Sequence, residues 1–125
     1  MATLLGVFPI GNSDPAALPV HDFGPAIAFY HAVLGFELIE RTSDSAKMRR
    51  DEGEIVLRLG DTDPYNYSLY FSTDDVAAFR AEMIARLLEP TELRMDSYGG
   101  KQFRVFFVKE PYGVCFCIGQ EISPT

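Results

Sequence analysis

One pattern of elements occurs twice within the 125 residues. Phe23, Ile27, Tyr30 and Leu34 fall at helical spacing and stop at Gly35, with Asp22 placed as an N-cap and Pro25 in the first turn. Val76, Phe79, Met83 and Leu87 form a second stripe, introduced by Thr73-Asp74-Asp75 and closed before Pro90. Three runs of period two follow each stripe: 36–43, 46–51 and 54–60 after the first, 91–96, 102–109 and 114–120 after the second. The turn signals Asp51-Glu52-Gly53, Tyr98-Gly99-Gly100 and Pro111-Tyr112-Gly113 punctuate them. Residues 67–72 supply a strand just before the second helix, and residues 3–10 read as its more distant counterpart before the first, with 11–19 as a loop. The order β-α-β-β-β is thus repeated with a period of about 55 residues. A unit that small cannot bury both its helix stripe and its sheet, so the two must share a core. The expectation is one α+β domain over residues 1–125, with module one at about 3–60 and module two at about 67–120.

Composition narrows the partners. Hydrophobic residues make up 47% and charged ones 23%, which suits a folded domain and disfavours disorder. Eighteen acidic against eleven basic side chains give a formal charge of −7, shared by the two halves. That balance argues against a nucleic-acid backbone or an anionic membrane as partner and leaves neutral or cationic small molecules. The apolar start, residues 1–10, lacks a basic leader and is broken by Pro9, and no apolar run approaches the roughly 18 residues of a membrane span. Cys115 and Cys117 are the two cysteines. Two positions apart on a strand, their Cα atoms lie roughly 6.5–7 Å apart, at or beyond disulfide reach, so free thiols in a cytoplasmic setting are expected.

Strand alternation sorts the faces. Val114, Phe116 and Ile118 point one way and Cys115 and Cys117 the other; Leu69 and Phe71 oppose Ser68 and Tyr70; Ile55, Leu57 and Leu59 oppose Val56 and Arg58. The large apolar sets should meet helices. Ser68, Tyr70, Arg58 and both cysteines then line a second, semi-polar concave face.

These residues also resemble a family. Leu18-Pro19-Val20-His21-Asp22-Phe23, Ala28-Phe29-Tyr30 and Leu34-Gly35-Phe36-Glu37 are similar to the first-module signature of the vicinal oxygen chelate superfamily, which includes glyoxalases, bleomycin-resistance proteins, extradiol dioxygenases and fosfomycin-modifying transferases. Ser72-Thr73-Asp74-Asp75-Val76 with Phe79, and Glu110-Pro111-Tyr112-Gly113, resemble its second strand-to-helix junction and its last turn. The resemblance spans about residues 3–120 and implies paired βαβββ modules forming a cupped, incomplete barrel, often completed by a homodimer. It also implies where metal ligands would stand in metal-dependent relatives. The last-strand Glu falls on Cys117 and the His before the second helix on Ser68. The first-strand ligand falls either on Pro15 or in the strand 3–10, and residues 1–11 hold no His, Gln, Asp or Glu. The expectation is no metal and no other cofactor.

Candidate ligand-binding residues are therefore Arg58, Ser68, Tyr70, Tyr98, Cys115 and Cys117, with no catalytic residue assigned. Most have a plainer reading: an internal ion pair for Arg58, packing for the cysteines, core for Tyr70, a hairpin turn for Tyr98. His21 and His31 read as boundary histidines, and Met48, Arg49 and Arg50 as an edge strand with solvated charges. The favoured function is metal-independent sequestration of an aromatic or cationic amphipathic compound by a cytoplasmic homodimer. The alternative is a metal-dependent lyase, dioxygenase or thiol transferase with ligands drawn from Glu110, Glu54, His21 or Cys117. An interaction domain whose own aromatics fill its cleft is a third reading.

Overall fold

The computed structural model describes residues 2–10, 13–14, 16–60, 67–86, 88–109 and 114–122, and the backbone but not the side chain of Tyr98. The elements are β1 (Leu4–Pro9), β2 (Leu18–Val20), α1 (Phe23–Ala32), β3 (Glu37–Arg41), β4 (Ser45–Arg50), β5 (Gly53–Leu59), β6 (Ser68–Thr73), α2 (Val76–Ala85), β7 (Arg94–Tyr98), β8 (Lys101–Lys109) and β9 (Cys115–Ile122). Both helices start where the carboxylates place them. The Asp22 side chain accepts from the Gly24 N–H at 3.1 Å, and the Asp75 side chain from the Ala78 N–H at 3.0 Å. Leu87, the last residue of the second stripe, and the turn 110–113 lie outside the described residues.

Two mixed sheets carry the repeat in their connectivity. One has the order β2-β5-β4-β3 and the other β1-β6-β9-β8-β7. In each, the strand that feeds the helix lies parallel to the last strand of its module, β2 on β5 and β6 on β9. This corrects the expectation for the first module. Its helix-feeding strand is Leu18–Val20, which begins within the segment 11–19 read as a loop, while residues 4–9 leave their module and run antiparallel along β6. Three residues with a proline in the middle carry no alternation signal, and Pro19 is tolerated because β2 is an edge strand.

The apolar faces of both sheets and the helix stripes form one core. Its aromatic centre crosses between the modules. Tyr30 of α1 meets Phe116 of β9 edge-on at 6.2 Å, Phe36 meets Phe71 at 6.0 Å, and Phe71 stacks on Phe116 at 4.7 Å. This is the α+β, two-module architecture with open sheets that the repeat called for.

Arg50 departs from its expected role. It belongs to an interior strand of its sheet, and only 10% of its side chain is exposed. Its guanidinium donates to the Leu34 carbonyl at 2.9 Å, to the Ala2 carbonyl at 3.2 Å and to Glu82 of α2 at 3.1 Å, and its central carbon lies 4.5 Å from the centre of the Phe79 ring. One side chain thus ties the first helix's exit, the chain's start and the second helix together.

Candidate functional site

The face of the five-stranded sheet turned away from the core carries a cleft of about 430 Å³, lined by Phe8, Pro9, Ile10, Tyr70, Asp96, Phe103, Val105 and Cys117. Strand register explains the set. Phe8 pairs with Tyr70, Tyr70 with Cys117, and Asp96 with Phe103, so these side chains fall on one face. Tyr70 is the middle of a row of rings, 6.4 Å from Phe8 on one side and 6.4 Å from Phe103 on the other. The row crosses β9 at Gly119. A Cβ at that position would run into the Tyr70 hydroxyl and sit 2.9 Å from both Tyr70 Cε1 and Val105 Cγ1, so the bare glycine is what lets the tyrosine lie flat across its strand.

The chemistry inside is quiet. Burial, aided by the neighbouring Cys117 and Glu121, pushes the Tyr70 phenol up to about 12. Burial also pushes the Cys117 thiol up to about 11, with Asp96 and Cys115 adding to the effect and Arg94 opposing it. Near neutral pH the cleft therefore holds a protonated phenol and a protonated thiol, neither of them a ready nucleophile or base. The Asp96 carboxylate is the one acidic group among the described lining residues. A stability consequence follows. The unfolded chain gives up the Cys117 proton above its ordinary value of 9.0, whereas the folded chain keeps it to about 11. The protonated thiol's contribution is thus complete below pH 9 and is lost as pH rises toward 11. Urea titrations at pH 8 and pH 10.5 should show an alkaline loss in the wild type that is smaller in Cys117→Ser; equal losses would contradict this account.

The cleft gathers some of the expected residues and leaves out others. Tyr70 and Cys117 line it. Ser68 and Cys115 pair with each other at the start of β6 and β9 but are outside the lining set, and the Ser68 N–H donates to Ser13 Oγ at 2.9 Å. The backbone of Tyr98 ends β7 opposite Lys101, and its side chain lies outside the described residues. Arg58 is not part of this face. It is exposed on the other sheet, where its Nε donates to the Ala16 carbonyl at 3.3 Å, because the two sheets turn their outer faces to different sides of a shared core. Asp96, Phe103, Val105 and Phe8 had no place in the expected site. Counting back from the Gly99-Gly100 hairpin, both glycines at positive φ, would have set Asp96 opposite Phe103 and found the first three.

The same geometry tests the implied metal positions. They supply the Ser68 hydroxyl and the Cys117 thiol, while Pro15 lies outside the described residues. Glu54 is on the other sheet, paired with Lys47 at 3.3 Å, His21 is exposed, and Glu110 is outside the described residues. Among the described residues no group of three His, Cys, Asp or Glu side chains converges. This donor set does not fit an oxygen- and imidazole-rich divalent site.

Comparison with known proteins bears on the repeat and its topology. The family profile described as Glyoxalase/Bleomycin resistance protein/Dioxygenase superfamily matches residues 12–118. The chain belongs to this superfamily. Solved structures with the glyoxalase/bleomycin-resistance fold align over most of both chains. A bleomycin resistance determinant encoded on the transposon Tn5 is 19% identical with a TM-score of 0.74, covering 88% of this chain and 98% of that one. A bleomycin-binding protein from bleomycin-producing Streptomyces verticillus, complexed with copper(II)-bleomycin, is 21% identical with a TM-score of 0.69, covering 87% and 95%. A virulence protein from Salmonella typhimurium is 19% identical with a TM-score of 0.73, covering 90% and 98%. At these identities the likeness shows the fold, on which superfamily members carry different chemistries. No curated protein matches the sequence. No helix among the described residues is long and apolar enough to cross a membrane.

Proposed function

We propose that this glyoxalase/bleomycin-resistance-superfamily protein is a metal-independent binder that sequesters an aromatic, cationic amphipathic compound. The observation that carries the reading is the lining of the cleft: three aromatic rings in a row, an apolar surround, and one carboxylate. Rings offer flat area to a planar ligand, and Asp96 offers a counter-charge to a positive group on it. The net charge of −7 adds long-range attraction for such a ligand. Sequestration asks for no acid, base or nucleophile, which suits a protonated Tyr70 and Cys117. The described lining residues come from one sheet and from Ile10 just after β1, and in this reading the cleft is a trough with an open side. In this reading a second copy of the chain closes it, and Phe8, 51% exposed at the rim, is the side chain covered on closure.

A thermal-shift screen of aromatic cations, their neutral isosteres and aromatic anions tests the proposal. Cations at about a hundred times Kd should stabilise by about 2.7 kcal/mol, several degrees in Tm, with neutral compounds weaker and anions inert. A screen in which anions win, or in which nothing shifts Tm, would sink the reading. So would stoichiometric metal in purified, untagged protein.

A further inference from the structure

We propose that Arg94 is an internal counter-cation of the cleft, and that it sets the specificity by competing with the ligand for Asp96. This rests on the ligand-binding reading above and goes further by naming the residue a ligand must outbid. Arg94 and Asp96 stand two positions apart on the edge strand β7, opposite Val105 and Phe103 respectively. Arg94 Nη2 lies 3.4 Å from Asp96 Oδ2, and the guanidinium carbon lies 4.8 Å from the centre of the Phe107 ring. Asp96 lines the cleft and Arg94 does not, so the pair straddles the rim with its acidic half inward. Both charges reach the interior: Asp96 raises the Cys117 thiol and Arg94 lowers it.

The pair is built to open. Its side chains are 59% and 43% exposed and joined by one long contact, the kind of ion pair that contributes little to stability. When a ligand's positive group takes the carboxylate, Arg94 keeps its berth over Phe107, so its charge is not stranded. A neutral aromatic leaves the pair intact and gains nothing from Asp96. A cationic aromatic exchanges one ion pair for another, so the salt dependence of its binding is shallow in the wild type. Without Arg94 the ligand meets an unpaired carboxylate and binds both tighter and with a steeper response to salt.

Calorimetric titration with benzamidine and its neutral analogue benzamide, at low and high salt, tests this in the full chain. Wild type should prefer benzamidine. Arg94→Gln should raise benzamidine affinity by roughly twofold to fivefold, the factor an exposed ion pair is worth, with a steeper salt response and unchanged benzamide binding. Asp96→Asn should erase the preference. If Arg94→Gln weakens benzamidine or leaves it unchanged while wild type still prefers it, Arg94 is no competitor and the cleft reading stands alone. If wild type binds neither probe, the cleft reading falls and this proposal with it.

Discussion

Replacing Arg50 by methionine should lower the unfolding free energy by about 3 kcal/mol, the low end of what breaking a buried ion pair costs. The methionine keeps much of the stem that packs on Phe79 but removes every donor. Glu82, itself largely covered, then loses the partner at 3.1 Å, and the carbonyls of Leu34 and Ala2 lose theirs. Lysine should not rescue it, because a single ammonium cannot serve three acceptors spread over the first helix's exit, the chain's start and the second helix. Glu82→Gln keeps one acceptor for Arg50 and should cost about 1 kcal/mol. Urea unfolding of the three variants checks the order. An Arg50→Met protein within about 0.5 kcal/mol of wild type, the range of an ordinary surface change, would mean the clasp between the modules is idle.

The largest expected effect on binding comes from Gly119→Ala. The added methyl would occupy the space of the Tyr70 hydroxyl and press on Val105. Val105 is buried, whereas Tyr70 is half-buried with one open direction, into the cleft. Affinity for an aromatic cation should fall at least tenfold, about 1.4 kcal/mol or more, with a stability cost of about 1–3 kcal/mol from overpacking. Adding Tyr70→Phe removes the atom that meets the methyl first and should restore part of the binding, a coupling that a double-mutant cycle isolates. Unchanged affinity in Gly119→Ala would show that Tyr70 is not part of the binding surface.

The helices and their partner strands were readable because each rests on local rules. Asp22 and Asp75 cap, Gly35 follows the first helix at positive φ, and Phe116 and Ile118 alternate against the cysteines. The joint core followed from the size of the repeat. The site was half legible: Tyr70 and Cys117 face away from the core by alternation alone, and the structure puts both in the cleft. Arg58 obeys the same alternation but belongs to the other sheet, and no local rule tells which outer face belongs to which wall. Asp96 is one of eighteen acidic residues, and only the register of a hairpin distinguishes it. Arg50 looked like a solvated charge because its partners lie in three segments remote from it in sequence.

The exchange of β1 into the second module's sheet has a consequence in time as well as in space. Thr3 and Thr73, joined by a hydrogen bond, are 70 residues apart in the chain. A ribosome adding about 5–20 residues per second makes β1 several seconds before the strand it must pair with. Through that interval Leu5, Phe8 and Ile10 have no sheet to join, and the trough stays incomplete until β9, which carries Cys117, has been made as well. The shared core and the binding cleft alike must wait for the second module.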